Sequence, residues 1–321
     1  MMPYFHFQPI YQSRVWGGHD LEKTLGRSLP GSGPIGESWE IVDRPEAQSV
    51  VSEGPLAGKT LHELLTGQST EVMGPGWQPG QRFPILVKWL DCQDRLSLQV
   101  HPPTAVAASL AGEPKTENWY VARATPAAAV LAGLKPGVDQ AQFALELERG
   151  TAESCVQRMP VHAGDSLLVH SGVMHAIDAG CLILEIQQNS DTTYRVFDWG
   201  RVGLDGKPRQ LHIAEALACL SAPPAGDTRL MLPTGKATEV LADCAHFRIT
   251  RHLLPAGGEL RYLPGVEPRL LSVVEGALAA SGGGRVRAGD NLLLPYAGDF
   301  LFRADEPAVI LVTDHFNRPT A

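Results

Sequence analysis

The chain has 321 residues, of which 44% are hydrophobic and 19% charged, and its formal net charge is −8. This composition is typical of a globular protein with enough residues for one large or two medium domains. An acidic chain without a Lys/Arg cluster offers no electrostatic surface to nucleic acid. An anionic ligand must therefore be held by a few placed cations.

Targeting and redox signals are weak. The segment Met1-Met-Pro-Tyr-Phe-His-Phe7 has no basic region followed by an apolar stretch, and the longest apolar runs are too short to span a bilayer. The five cysteines are dispersed, with no Cys-x-x-Cys pair, which is typical of reduced thiols. We expect a cytoplasmic protein with neither nucleic-acid nor membrane partners, and the sequence leaves its oligomeric state open.

Short apolar or alternating segments bounded by glycine and proline predict mostly strands. In chain order, the predicted strands are Pro84–Leu90, Leu96–Val100, Ser166–Val169, Cys181–Gln187, Leu270–Val274 and Asn291–Leu294. Helical patterning is confined to about Thr60–Leu65, Val138–Arg149 with a continuation after Thr151, and His212–Leu220. Many strands with few helices predict an all-β protein with a small helical insertion at about 138–158.

An internal repeat indicates two similar halves. Ala163-Gly-Asp-Ser-Leu-Leu-Val-His-Ser-Gly172 recurs as Ala288-Gly-Asp-Asn-Leu-Leu-Leu-Pro-Tyr-Ala297. A Gly-Asp turn opening an apolar strand is the second half of the cupin signature, so the chain resembles two tandem cupin (jelly-roll) barrels. We place a catalytic domain at 1–225 and a metal-free barrel at 226–321, joined by the Pro/Gly/Ala-rich stretch 221–227. Phe300 occupies the second-half position of His175, so we expect no metal in that half.

Potential metal ligands share one strand face in the first half. In a strand, Gln99 and His101 point to one side while Leu98 and Val100 point to the other. A carboxylate at Glu117 and a second imidazole at His175 would complete a set suited to a borderline divalent metal. One amide oxygen, two imidazoles and one carboxylate leave room for water or substrate, as catalytic sites do.

Seven ordered motifs carry a family resemblance. They are Arg14-Val-Trp-Gly-Gly18, Gly36-Glu-Ser-Trp-Glu40, Leu98-Gln-Val-His-Pro102, Lys115-Thr-Glu-Asn-Trp-Tyr120, His175-Ala-Ile177, Glu185-Ile-Gln-Gln-Asn-Ser-Asp-Thr-Thr-Tyr-Arg195 and Leu211-His-Ile-Ala-Glu-Ala216. Together they resemble the type I phosphomannose isomerases, in particular the short bacterial form. The resemblance implies that Gln99, His101, Glu117 and His175 hold one zinc ion per chain. It also implies interconversion of mannose 6-phosphate and fructose 6-phosphate through an enediolate.

Two rival functions stay open at this point. One is a non-catalytic sugar-phosphate-binding cupin acting as a sensor, which the intact set of ligands and cations argues against. The other is an iron-dependent cupin oxygenase. Such enzymes favour a ligand set richer in histidine, and the paired Lys and Arg side chains would have no role in one.

Several polar residues are candidates for contacting a phosphorylated hexose. The planar fork of Arg195 suits a phosphate or a developing enediolate, which makes it the candidate catalytic residue, and the alternative is a structural pair with Asp191. Lys115 points the same way as Glu117 and is a candidate phosphate or sugar ligand. Lys88 interrupts an apolar strand, so we expect a partner anion or a position at a barrel mouth. Asp191 and Glu185 complete the candidate substrate-binding set, and the sequence does not decide which group carries the proton.

Two departures from the family pattern are visible. His170 stands where a proline usually stiffens the turn before the ligand histidine, and we interpret it as a tolerated turn residue that could line the pocket. Pro114 replaces a histidine found in longer members, which removes one candidate proton carrier.

Overall fold

The computed structural model describes residues 2–220 and 228–317. The linker predicted at 221–227 lies outside these residues. Within them strands predominate, which confirms the all-β prediction. In chain order the strands are β1 (Phe5–His6), β2 (Ile10–Gly18), β3 (Ile35–Ile41), β4 (Asp43–Arg44), β5 (Ala47–Gln48), β6 (Ile85–Cys92), β7 (Leu98–Val100), β8 (Glu117–Ala124), β9 (Ala129–Leu134), β10 (Val156–Pro160), β11 (Ser166–Val169), β12 (His175–Ile177), β13 (Cys181–Gln188), β14 (Tyr194–Phe197), β15 (Leu230–Met231), β16 (Thr238–Asp243), β17 (Arg248–Leu254), β18 (Glu259–Tyr262), β19 (Arg269–Glu275), β20 (Ala277–Ala280), β21 (Arg285–Arg287), β22 (Asn291–Leu294), β23 (Phe300–Ala304) and β24 (Ala308–Asp314).

Helices are short in the described part of the chain. They are α1 (Asp20–Leu25), α2 (Leu61–Gly67), α3 (Ser69–Met73), α4 (Thr104–Ala107), α5 (Gln140–Glu148) and α6 (Ile213–Leu220), with 3₁₀ turns at Ala108–Leu110 and Ala152–Cys155. The predicted insertion corresponds to α5 and the turn that follows it. Sequence patterning did not predict α1, α3 and α4, because helices of one or two turns show no usable periodicity. None of the helices described is long and apolar enough to cross a membrane.

The chain divides into two compact units that are each discontinuous in sequence. One consists of residues 1–10, 39–87 and 233–321, and the other of residues 11–38 and 88–232. This grouping differs from the sequential division at 225/226, because the early segments 1–10 and 39–87 cluster with the carboxy-terminal segment. The sequential division therefore stays a prediction.

The unit of residues 11–38 and 88–232 is built around two sheets. One is five-stranded, in the order β10-β9-β12-β7-β14, and a seven-stranded sheet has the order β15-β11-β8-β13-β6-β3-β2. Trp119 and Val121 from β8 share a buried apolar cluster with Val130 and Ala132 from β9, so the core lies between the sheets. A second cluster packs α5 and α6 against the opposite face of the five-stranded sheet.

The other unit is also made mainly of two sheets. Their orders are β1-β22-β19-β24-β17-β16 and β18-β23-β20-β21, with an apolar cluster formed by residues of both. Phe300, the residue that the sequence repeat aligns with His175, is buried in this cluster.

The repeated Gly-Asp turn takes the same form in both units. Gly164 and Gly289 both have φ 95°, a left-handed conformation that glycine adopts without strain. In each turn, the aspartate carboxylate accepts a hydrogen bond from a backbone N–H three residues earlier: His162 N to Asp165 at 2.8 Å, and Arg287 N to Asp290 at 2.9 Å.

Candidate metal centre and substrate cleft

The five-stranded sheet sets three site residues in one row. β7 lies between β12 and β14, and Gln99 is directly opposite both His175 and Arg195. Directly opposed residues project from the same face of an antiparallel sheet. Their neighbours Leu98 and Val100 pack into the cluster on the helix-covered face, as the predicted alternation requires.

The seven-stranded sheet supplies the carboxylate. Glu117 begins β8 opposite Gln187 of β13, and two residues on, Trp119 pairs with Glu185. Because Trp119 belongs to the cluster between the sheets, the alternation places Glu117 on that same inner face. The residues predicted as ligands therefore converge from two sheets.

Three of the predicted ligands form one buried group. The potential ligand atoms of His101, Glu117 and His175 all lie within 4.8 Å of one another. Glu117 is 3.2 Å from His101 Nε2 through one oxygen and 3.5 Å from His175 Nε2 through the other. Two donors that are each about 2.1 Å from one tetrahedral ion lie about 3.4 Å apart, so these distances match a shared divalent metal.

The outer imidazole nitrogens are fixed by the backbone. His101 Nδ1 lies 2.8 Å from the Thr192 carbonyl oxygen, and His175 Nδ1 lies 2.8 Å from the Val173 carbonyl oxygen. A protonated Nδ1 that donates to a carbonyl leaves the lone pair on Nε2, which is the arrangement around bound metals. His101 Nε2 and Glu117 Oε1 are buried and make no hydrogen bond of regular geometry. Buried polar atoms normally have a partner, and a metal ion bound between these two atoms would provide one.

Gln99 adjoins the three-residue group. Its Nε2 lies 3.3 Å from His175 Nε2, and its Oε1 lies 3.1 Å from Ser97 Oγ. A half-turn of the amide would put its oxygen beside His175 and let its nitrogen donate to Ser97. In that orientation Gln99 fits the predicted ligand set.

Burial and charge hold the ligands in their coordinating forms. Burial, reinforced by the Lys115 ammonium, lowers the pKa of His101 to about 3, and burial also lowers the pKa of His175. Burial alone would raise the pKa of Glu117. The nearby Lys115 ammonium and the interaction with the His101 ring outweigh it and hold that pKa well below its usual value. Neutral imidazoles and an ionised carboxylate are the forms that bind metal.

Two buried lysines lie among carboxylates beside this group. Lys115 Nζ is 2.7 Å from Glu117 and 3.9 Å from Glu185. Lys88 Nζ is 3.9 Å from Glu185 and 3.6 Å from Asp191, so this lysine has the partner anions expected of it. Burial, helped by the charge on Glu117, raises the pKa of Glu185 to about 7.

A cleft of about 410 Å³ opens onto this region. Gln99 and all five candidates outside the ligand group line it, namely Lys88, Lys115, Glu185, Asp191 and Arg195. The structural pairing of Arg195 with Asp191 does not occur, since Asp191 contacts Lys88. Arg195 instead donates from Nε to Ser97 Oγ at 3.1 Å and from Nη1 to the Gln210 carbonyl oxygen at 2.9 Å.

Four titratable residues of the cleft were not predicted to have a role there, namely Arg14, Glu37, Arg209 and His212. Three of them belong to motifs that carried the resemblance, whereas Arg209 had no sequence signal. Arg14 forms a two-pronged ion pair with Glu37, at 3.0 and 3.2 Å. Gly36 makes room for Arg14, because a Cβ built there would lie 2.5 Å from Arg14 Cβ. His170, considered as a possible pocket residue, is not among the residues lining the cleft.

The two-sheet fold and the histidine–carboxylate group define a metal-binding β protein of cupin-like architecture. Residues 4–133 match the model of the type I phosphomannose isomerase catalytic domain. The chain is 35% identical over 304 residues to mannose-6-phosphate isomerase ManA of Bacillus subtilis, covering 92% of this chain and 94% of that protein. It therefore belongs to the type I phosphomannose isomerase family.

Solved structures agree with this placement. The mannose 6-phosphate isomerase crystal structure from Bacillus subtilis superposes with a TM-score of 0.85 at 29% identity, over 97% of this chain and 99% of that one. A mannose 6-phosphate isomerase crystallised with zinc superposes with a TM-score of 0.76 at 17% identity, over 98% of this chain and 100% of that one. The second match shows the shared fold alone.

Proposed function

We propose that this protein is an aldose–ketose isomerase that interconverts D-mannose 6-phosphate and D-fructose 6-phosphate. The observation that carries the proposal is the buried group of His101, Glu117 and His175 beside a cleft lined by lysine and arginine side chains. Membership of the type I phosphomannose isomerase family supports it.

We propose that His101, Glu117, His175 and Gln99 hold one zinc ion per chain. A divalent ion bound there would supply Lewis-acid stabilisation of the negative charge that develops on the sugar oxygens during isomerisation. The protein's own contribution is to hold the two imidazoles neutral and oriented through Thr192 and Val173, and to keep Glu117 ionised.

The remaining cleft residues differ in whether oppositely charged side chains lie next to them. Lys115 and Lys88 are buried among carboxylates close to the ligand group, which suits contacts with sugar oxygens near the reacting carbons. Glu185 and Asp191 hold these ammonium groups in place and can accept hydrogen bonds from sugar hydroxyls. Arg195 has no carboxylate within 4 Å among the described residues, so its charge is available to an anionic substrate or intermediate.

An isomerase assay with and without metal tests the proposal. Purified protein is incubated with mannose 6-phosphate while fructose 6-phosphate is measured, and metal content is determined by elemental analysis. We expect one zinc per chain and turnover that a chelator abolishes. Protein without stoichiometric metal that keeps full activity in chelator would refute the metal-dependent mechanism, and metal-loaded protein without turnover would favour the sugar-phosphate sensor.

A matched pair of histidine variants distinguishes loss of a metal ligand from a general effect of replacing a histidine. His101→Ala should lose the metal and the activity and still fold. His162→Ala should change neither, because His162 is an exposed residue whose side chain is 81% accessible. Near-native activity in His101→Ala would show that the ligand assignment is wrong.

We also propose that the protein works in the cytoplasm. All five cysteines are free, and four of them are buried, which suits a reducing compartment. Fractionation of cells that express a tagged chain tests this, and recovery outside the cytoplasmic fraction would refute it.

A further inference from the structure

A second cavity, of about 460 Å³, lies wholly within the unit that contains the carboxy-terminal segment. Its walls are formed by residues 2–5, 53–56 and 281–284, and Asp299 and Phe300, where β23 begins, complete the lining. The linings of this cavity and of the cleft beside the histidine–carboxylate group have no residue in common. The volume is in the range of small-molecule sites, so this cavity is a candidate for a second ligand.

Two aromatic rings give the cavity an apolar wall. The ring centroids of Tyr4 and Phe300 are 6.4 Å apart, and the two ring planes are tilted by 57°. Tyr4 also lies 6.0 Å from Phe302, and both phenylalanines belong to the apolar cluster of this unit, which holds the wall in place. The face of an aromatic ring carries partial negative charge, so it attracts an organic cation as well as an apolar group.

A turn of glycines between β20 and β21 leaves the space in front of Tyr4 open. A Cβ built on Gly284 would lie 2.7 Å from the Tyr4 hydroxyl oxygen, so only glycine permits this close approach. A Cβ built on Gly282 or Gly283 would have no described atom within 4 Å. Because these residues carry no side chains, the turn bounds the cavity without filling it.

The charged groups at the cavity are mostly negative. Glu53 and Asp299 line it, and among the described residues no lysine, arginine or histidine does. Two cations lie outside the lining: Arg261 is 3.2 Å from both oxygens of Asp299, and His6 is 3.9 Å from Glu53 and 3.6 Å from Asp290. Three carboxylates therefore face one guanidinium and one imidazole, and the region stays net negative whether or not the imidazole is protonated.

The Tyr4 hydroxyl responds to this negative potential. Burial raises its pKa, and the charges of Glu53 and Asp290 raise it further. Carboxylates that oppose the formation of a phenolate also oppose the entry of an anion and favour a cation. The same charges would repel the phosphate of a sugar phosphate, so the cavity is not suited to a second molecule of the proposed substrate.

We propose that this cavity binds a small organic cation, an ammonium group carried on an aromatic or aliphatic body. The apolar body lies against Tyr4 and Phe300, and the ammonium group faces Glu53 and Asp299. The three N–H donors of a primary ammonium suit carboxylate acceptors. The inference goes beyond the proposed isomerase function and does not rest on it, because the cavity shares no residue with the cleft.

Three probes of similar shape and different charge test the proposal: 2-phenylethylammonium, 2-phenylethanol and phenylacetate. Ligand-observed NMR titrations use the full-length, zinc-loaded protein at low salt, with and without saturating mannose 6-phosphate. We expect the ammonium probe to bind with a Kd of about 1 mM, a plausible affinity for so small a ligand. The neutral alcohol should bind at least about threefold more weakly, and phenylacetate should show no binding. About 0.5 M salt should weaken the ammonium probe, because it screens partly exposed charges.

A double variant, Glu53→Gln with Asp299→Asn, removes both lining charges and keeps the shapes of the side chains. It should weaken the ammonium probe by about threefold to tenfold, to the level of the alcohol. Glu306→Gln is the matched control, since Glu306 is an exposed carboxylate of the same unit that does not line the cavity. Its Kd should remain within about twofold of wild type, as for a substitution away from the ligand.

Three results would overturn the proposal. They are equal binding of phenylacetate and the ammonium probe, an unchanged Kd in the folded double variant, and loss of the ammonium probe when mannose 6-phosphate is added. The last result would place the probe in the cleft. The comparison of the three probes needs only the wild-type protein, so the proposal stays testable even if the double variant does not fold.

Discussion

Replacing Lys115 by methionine tests the electrostatic design of the metal centre. The Lys115 ammonium lies 2.7 Å from Glu117 and 3.9 Å from Glu185, and its side chain is 5% exposed. Methionine keeps most of the volume and removes the charge. Removing one partner of a buried ion pair costs about 3–5 kcal/mol, because the other charge stays buried without compensation. Lys88 still contacts Glu185, so we expect a loss at the lower end, about 3 kcal/mol.

The assay is urea unfolding followed by tryptophan fluorescence, in chelator and with saturating zinc. The loss of unfolding free energy should be largest in chelator, because a bound divalent ion would compensate part of the negative charge of Glu117. It should also depend on pH. In the wild type the pKa of Glu117 is depressed, so its stabilisation is present above the ordinary glutamate value and disappears as the pH falls through the folded value. The difference in free energy of unfolding between wild type and Lys115→Met should therefore be greatest at neutral pH and shrink below about pH 5.

Lys135→Met is the control, since Lys135 is exposed and has no side-chain ion pair among the described contacts. Its free energy of unfolding should stay within about 0.5 kcal/mol of wild type. A Lys115→Met protein that is equally close to wild type in chelator at neutral pH would refute the reasoning, because Glu117 would then not depend on the ammonium.

Four further predictions follow from the site and the fold. Arg195→Ala should lower kcat by about a hundredfold with unchanged metal content, as for loss of a cation that meets the developing charge, and unaltered kinetics would remove Arg195 from the site. Dialysis at pH 5.5 should leave the metal bound, because the pKa of His101 is about 3, that of His175 is lowered, and Glu117 stays ionised. Metal loss at pH 5.5, measured by elemental analysis, would contradict this. Gly36→Ala should destabilise the protein by about 1–3 kcal/mol because its Cβ would meet Arg14, whereas Gly33→Ala has open space and should be neutral in thermal unfolding. Truncation after Leu232 should give insoluble protein, because β1 would lose its partner β22 and residues 39–87 the rest of their unit, and a soluble, active fragment would show otherwise.

Local patterning predicted the strands well. Ser166–Val169 and Asn291–Leu294 have the predicted bounds, and the strands predicted around Lys88 and Gln99 exist with ends that shift by one or two residues. Alternation also predicted that Gln99 faces away from Leu98 and Val100, which the apolar cluster confirms. These features depend on side-chain period and turn residues, which are properties of a few consecutive positions.

The hydrogen-bond and ion-pair partners of the cleft residues could not be predicted from local patterning. Nothing in the sequence distinguished a pair of Arg195 with Asp191 from the observed contacts with Ser97 and Gln210. Arg209 had no signal at all, because its position at the cleft depends on the chain returning beside β14, where Arg195 donates to the carbonyl oxygen of Gln210. Such contacts join residues far apart in the chain, and side-chain periodicity contains no information about them.

The sequence by itself determined the all-β class, the repeated Gly-Asp turn and the residues able to bind a metal. These follow from hydrophobic period, from glycine at a left-handed position and from the chemistry of imidazole and carboxylate groups. Only the tertiary structure decided that residues 1–10 and 39–87 cluster with the carboxy-terminal segment, and that His101, Glu117 and His175 meet within 4.8 Å. The physical reason is that the pairing order and register of distant strands bring these residues together, and register is fixed by the packing of a whole sheet against its core.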